Sequence, residues 1–243
     1  MESSWSIPPI GILHSPFKEK FGIPRQPGLA PSARSMLEIL PPYDRDEAFR
    51  GLERFSHIWL VFRFHGIPAG EWRPTVRPPR LGGNRRLGVF ATRSGFRPNP
   101  IGLSAVALEG IGREDGRLLL RLRGADLLDG TPVLDVKPYL PYADRIPEAV
   151  GGFADRTPDP PLAVMFSPGA EAFVAARERA GGPELRALVV EMLQADPRPA
   201  YRRDDRDDRI YGIRLLDMEI KWQVRDGGVA VLSIHPIPEE FRP

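Results

Sequence analysis

Up to about residue 137 the apolar residues recur at every second position in short runs, and the runs stop at turns bearing glycine or proline. That period belongs to half-buried strands, and little helical signal interrupts it. The first part of the chain is therefore expected to close into an antiparallel β-barrel. The clearest run is Phe55 to His65, where Ile58, Leu60, Phe62 and Phe64 point one way while His57, Trp59, Val61, Arg63 and His65 point the other. Further strands are expected at Ile7 to Leu13, at 87–92, at 101–109, at Leu118 to Arg123 after a turn at Glu114-Asp115-Gly116, and at Pro132 to Lys137. A short helix is expected over Asp44 to Leu52, with Asp44 as N-cap and Asp46 and Glu47 in its first turn.

Two long stretches lack either period. Residues 15–34 carry Lys18, Lys20, Arg25 and Gln26 among glycines and prolines and read as a loop pinned by Phe17 and Phe21. Residues 66–86 read as a mobile loop.

The period changes after 154–161, a stretch with the composition of a linker. Ser167-Pro168 is a helix start, followed by an apolar stripe of Ala170, Phe173 and Val174 that ends at Gly181-Gly182. A second helix follows Pro183, with Leu185, Leu188, Val189, Met192 and Leu193 on one face. Tyr211 to Val224 and Val229 to Ile234 then read as a hairpin around Asp226-Gly227-Gly228. The run RRDDRDDR at 202–209 reads as a solvated loop. The fold class is thus mainly β: an N-terminal antiparallel β-barrel over 1–153, a linker at 154–161, and a small C-terminal α+β domain over 162–243.

Composition narrows the function. With no cysteine among 243 residues, disulfides and thiolate metal sites are excluded, and the only soft ligands are four dispersed histidines. His57 and His65 would lie ~26 Å apart on a straight strand, so they share no metal; His57 beside Ser56 reads as structural, and His65 at the strand exit as a site residue. No run of eighteen apolar residues occurs, and the first six residues lack a secretory pattern, so the expected location is cytoplasmic with no membrane span. Net charge is only +2, yet eight arginines between 63 and 97 are opposed by Glu71 alone, a local +7. Arginine without lysine suits phosphate forks and base stacking, the alternative being scattered surface charge.

Read without context, Asp129-Gly130-Thr131-Pro132 is a type I turn entering a strand. Asp126, Asp129 and Asp135 match no standard metal loop, and no G-x-G-x-x-G accompanies Gly102, so a Rossmann-type nucleotide site is absent.

The stretch Gly88 to Ser104, GVFATRSGFRPNPIGLS, holds a stiff loop with Arg93 and Arg97. Four further motifs share the order of a known family: Ser15-Pro16-Phe17 with Phe21-Gly22-Ile23-Pro24-Arg25-Gln26, Phe55-Ser56-His57, Asp126 to Asp135 (DLLDGTPVLD), and Lys137 to Tyr142 (KPYLPY). Together they resemble the TsaA/TrmO-type tRNA methyltransferases, and Asp196 to Tyr201 (DPRPAY) is similar to the family's longer members. The resemblance implies a β-barrel that binds S-adenosylmethionine, a homodimer with the cofactor near the subunit interface, and methylation of N6 of threonylcarbamoyladenosine at position 37 of tRNA. Carried over by motif, Pro24, Arg25, Gln26, His65, Gly66, Arg93, Leu103, Asp129, Gly130, Thr131 and Pro132 would bind the cofactor.

A carbamoylated N6 is a weak nucleophile that benefits from losing its proton; Asp129 or His65 is the expected base, with positioning alone as the alternative. Arg77, Arg80, Arg85, Arg86 and Arg97 are the expected RNA contacts. Two other classes compete: a non-enzymatic module that binds a cofactor or nucleotide and regulates a partner, and a generic RNA-binding β-barrel. The latter calls for exposed aromatics on a strand face.

Overall fold

The computed structural model describes residues 6–68, 70–155, 161–198 and 208–241. Six strands close the barrel: β1 (Gly11–His14), β2 (Arg34–Ile39), β3 (His57–Arg63), β6 (Ile101–Glu114), β7 (Arg117–Arg123) and β8 (Thr131–Pro138). Their order around the wall is β1-β2-β7-β6-β3-β8, and all neighbouring pairs are antiparallel. Alternation explains the interior, since Leu13, Leu37, Ile58, Leu60, Leu120, Leu122 and Val133 are all fully buried. Gly102 belongs to that packing. A Cβ there would sit 2.2 Å from the Phe62 ring, so only glycine lets the ring fill the barrel at this level.

The β6–β7 turn uses Asp115 and Gly116 at φ 49° and 79°, the positive pair that a two-residue hairpin needs. The first expected strand is shorter, starting at Gly11, and β2 was not expected at all. β6 runs to Glu114, well beyond residue 109.

Three expectations fail in the barrel half. Asp44–Leu52 is not an α-helix and Asp44 caps nothing; two 3-10 turns, Asp46–Phe49 and Leu52–Arg54, are separated by Gly51 at φ 94°. Residues 66–86 contain structure, a 3-10 turn at Pro79–Leu81 and the strand β4 (Thr75–Val76). Strand 87–92 is reduced to β5 (Leu87–Gly88), which pairs with β4 outside the barrel, followed by a 3-10 turn at Val89–Ala91. Arg97 is the physical reason: its Nη1 donates to the carbonyls of Val89 (3.3 Å) and Thr92 (2.8 Å), which a strand would have turned toward a neighbour.

After a single helical turn, α1 (Pro141–Asp144), the chain enters a second layer. β9 (Val164–Phe166), which was not expected, runs parallel to β12 (Gly228–Pro236) at one edge of a sheet ordered β10-β11-β12-β9. The expected single run Tyr211–Val224 is two strands, β10 (Tyr211–Leu215) and β11 (Met218–Arg225), because the chain reverses at Leu216, φ 55°. α2 (Pro168–Arg179) starts at Ser167, whose side chain accepts the Ala170 N–H, and α3 (Leu185–Leu193) buries the predicted apolar face. Within the linker 154–161, residues 156–160 lie outside the described residues, as do 202–207 of the charged run and 199–201 of DPRPAY.

Two apolar cores result. The barrel core is built from barrel strands, whereas the second core takes Phe17, Ala30 and Ala33 from the loop between β1 and β2.

Candidate functional site

β1 and β3 end, and β6 and β8 begin, at one end of the barrel, so the loops 15–33, 64–100 and 124–130 share a mouth. The first cluster there centres on Asp129. Its Oδ1 accepts the Ser15 N–H at 2.8 Å and its Oδ2 pairs with Lys18 Nζ at 2.7 Å. The preceding turn is closed by Thr131 N–H donating to Leu128 O at 3.2 Å, with Gly130 at φ 74°. A positive φ at the third residue makes it a type II turn over 128–131, one residue earlier than the type I turn expected over 129–132, and explains the glycine.

His65 stands beside this turn, clear of β3. Thr131 Oγ1 donates to Leu128 O at 2.6 Å and lies 3.4 Å from His65 Nδ1. With the hydroxyl hydrogen spent on Leu128 O, a proton on Nδ1 would complete the contact to Thr131 Oγ1, and the ring also has a backbone hydrogen bond to Asp129. Burial, and next the Lys20 ammonium, hold the His65 pKa below its ordinary 6.5, while Asp129 pulls the other way. The ring is therefore neutral at neutral pH. Lys20 Nζ donates to the Gly66 carbonyl, and a Cβ at Gly66 would meet the Lys20 side chain at 2.6 Å.

The second cluster joins Arg93 to the other loop. Arg93 Nη1 donates to Gln26 Oε1 at 2.5 Å, and Gln26 Nε2 to the Arg25 carbonyl at 2.5 Å. Asp126 lies within the field of Arg93, and Ser104 Oγ donates to its Oδ1 at 2.7 Å from inside the barrel. Burial raises the Asp126 pKa above the usual 3.8, against the lowering pull of Ser104 and Arg93. Pro24 is buried beside Arg25 and Gln26, which are exposed. Pro132 pairs with Ile12 in the wall. Leu103 lies apart on the outer wall, 54% exposed, paired with Val61.

The family model for the tRNA-methyltransferase O N-terminal domain matches residues 12–145, and that for the TrmO C-terminal domain matches 159–237. The chain belongs to the TrmO family. It is 47% identical over 234 residues, 96% of this chain and 99% of the relative, to the Escherichia coli protein named tRNA (adenine(37)-N6)-methyltransferase. A Pseudomonas aeruginosa relative whose name includes the words S-adenosylmethionine-dependent methyltransferase is 53% identical over 221 residues, 89% of this chain and 91% of its own. The crystal structure of TrmO from Pseudomonas aeruginosa superposes with a TM-score of 0.79 at 44% identity, covering 97% of this chain and 99% of that one.

Around this TrmO-type mouth the arginine-rich segment divides. Arg77, Arg80 and Arg85 make no hydrogen bond or ion pair among the described residues, Arg86 donates to Thr75 Oγ1 at 3.3 Å, and Arg97 is spent on backbone carbonyls. Sequence reading weighed Asp126 only as a metal ligand, gave Ser104 no role, and overlooked two exposed aromatics, Phe90 (72%) and Trp72 (50%). The signal for Phe90 was an aromatic ring within an arginine-rich stretch; the Arg97 guanidinium sits 5.4 Å from its centroid. Among the described residues no group of three or more His, Asp or Glu could hold a metal ion, and no helix is long and apolar enough to cross a membrane.

Proposed function

We propose that this chain transfers a methyl group from S-adenosylmethionine to N6 of threonylcarbamoyladenosine at position 37 of tRNA. The observation that carries the reading is convergence: the 15–33 loop, the exit of β3, the loop before β6 and the turn before β8 meet at one mouth. Methylation at N6 of adenine 37 of tRNA is also the activity in the name of its Escherichia coli relative.

The residues there suit the donor. Arg93 with Gln26, and Arg25, whose Nη2 also donates to the Arg198 carbonyl at 3.5 Å, match a carboxylate; Asp126 favours an ammonium or sulfonium; Leu103 and the 41%-exposed Ile101, apart on the outer wall, would add an apolar face to the cofactor where a second copy packs against them. Gly130 leaves backbone uncovered, Gly66 makes room for Lys20, and Pro24, Thr131 and Pro132 shape the loop and turn that carry these groups. When bound, the sulfonium supplies an electrophilic methyl group without a metal.

His65 is the better proton acceptor of the two candidates, its ring being neutral at neutral pH. Asp129 has both oxygens engaged and organises the loop instead. Arg77, Arg80, Arg85 and Arg86 contact RNA phosphates, and the open face of Phe90 stacks an unpaired base. Arg97 supports this surface from within.

The reading includes a homodimer: Ile101 and Leu103 on the outer wall, with Tyr142, Ile146 and Val150 at 87%, 62% and 88% exposure after β8, offer apolar surface suited to a second copy. The setting is cytoplasmic, with tRNA as partner. Purified protein should bind S-adenosylmethionine in a calorimetric titration without added metal, and Arg93→Lys should bind it roughly tenfold more weakly at unchanged Tm, since lysine lacks the fork. A flat titration of folded, cofactor-free protein would overturn the reading.

A further inference from the structure

Segment 15–33 has no strand or helix of its own, yet it carries Pro24, Arg25 and Gln26. Its two ends are tied to the barrel: Ser15 Oγ donates to Leu127 O at 2.7 Å, and Gly28 N–H to Gly124 O at 2.8 Å. Its middle is tied to the second layer. Phe17, 1% exposed, is a member of that layer's core and bridges to Leu215, while Leu216 N–H donates to the Pro16 carbonyl at 2.7 Å. Phe21 stacks on Tyr211 and Trp222 at centroid distances of 6.2 and 6.4 Å. Gly22, at φ 90°, leaves room for Ile213, whose Cδ1 would be 3.0 Å from a Cβ. Glu19 accepts the Arg214 N–H at 2.9 Å. On the far side of Gln26, Glu191 of α3 accepts both the Ser32 N–H (2.8 Å) and its hydroxyl (2.9 Å).

We propose that the C-terminal layer is the positioning device of the cofactor loop: Phe21 on the β-sheet side and Ser32–Glu191 on the α3 side fix residues 24–26 against Arg93. The physical need is plain, since a loop punctuated by Gly22, Pro24, Pro27 and Gly28 has no internal ladder to order it and takes its order from the surfaces it touches. Glu191 is the member to test. It lies at the edge of α3 rather than in the core, so its loss frees the loop without opening the layer. It is a positioning residue, acting through Ser32 and the loop.

This inference rests on Arg25 and Gln26 holding S-adenosylmethionine, so the experiment separates the two. In the full chain, Glu191→Ala is expected to raise the Kd and KM for S-adenosylmethionine about tenfold while kcat and the KM for tRNA stay within about twofold, two charge-assisted hydrogen bonds being removed. Glu191→Gln should restore the affinity, because its carboxamide accepts the Ser32 N–H and donates to the hydroxyl. Ser32→Ala leaves α3 untouched and should weaken cofactor binding less, with no further loss when combined with Glu191→Ala beyond that of Glu191→Ala alone. Unchanged cofactor affinity in both Glu191→Ala and Ser32→Ala overturns the positioning role, as does an equal loss in kcat and both KM values. If Arg25→Ala with Gln26→Ala leaves cofactor affinity intact, the assignment of the cofactor loop itself fails.

Discussion

Two segments rim the barrel mouth, 15–33 and 66–97, and both are rich in proline and glycine, yet they are built in opposite senses. The first turns its aromatics inward: Phe17 is 1% exposed and Phe21 stacks within the second core. The second turns them outward, with Phe90 at 72% and Trp72 at 50% exposure, and leaves Arg77, Arg80 and Arg85 without partners among the described residues. The difference teaches what such loops are for. An inward-facing aromatic anchors a loop to a scaffold, whereas an outward-facing aromatic among unpaired cations is suited to a large anionic partner with unpaired bases.

The sharpest way to break this contrast is to remove one ring from each segment. Phe17→Ala should cost about 3–5 kcal/mol of stability, read as a fall in the urea midpoint, because it empties a fully enclosed site. Phe90→Ala should shift stability by less than about 0.5 kcal/mol but weaken tRNA binding by about 1–3 kcal/mol. Equal stability losses would erase the distinction.

Next in size is the charge of the outward segment. Replacing Arg77, Arg80, Arg85 and Arg86 with alanine should lower the slope of log K against log salt for tRNA by up to about 0.7–0.9 for each phosphate no longer neutralised, with cofactor affinity unchanged. An unaltered slope would make these arginines ordinary surface charge.

The smallest effect concerns Asp126, between the two segments. Its folded-state pKa is raised by burial, so its protonated form favours folding below the ordinary 3.8, and that stabilisation is lost as pH rises through the raised value. Asp126→Asn removes this dependence. The Tm of the variant relative to the parent should therefore rise between about pH 4 and pH 7; a falling difference would mean that the Ser104 bond and the Arg93 field outweigh burial.

The barrel was legible where alternation was clean, as at Ile58, Leu60 and Phe62 in β3. It was not legible in β2, where a buried Ser35 occupies an inward position and Met36 faces out. The apolar run Leu87–Ala91 imitates a strand, because nothing local announces that Arg97 takes the carbonyls of Val89 and Thr92. The reversal at Leu216 was hidden since a leucine at positive φ carries no signal of the kind glycine gives. At the site, His65 was legible from its place at the strand exit as well as from motif resemblance, while Arg93, Asp129 and Gln26 came from the resemblance. Lys20, Ser104 and Asp126 acquire their meaning from contacts between remote segments, such as Lys20 with Gly66 and Ser104 with Asp126, which no spacing along the chain encodes.

The central claim is that the mouth between these segments methylates one modified adenosine in tRNA. The most direct measurement is mass analysis of nucleosides after incubating the full chain with S-adenosylmethionine and tRNA carrying threonylcarbamoyladenosine at position 37, beside the same tRNA lacking that modification. The account predicts a singly methylated threonylcarbamoyladenosine from the first tRNA only, and its loss on His65→Ala. A protein that binds the cofactor but methylates neither tRNA, or both equally, would contradict it.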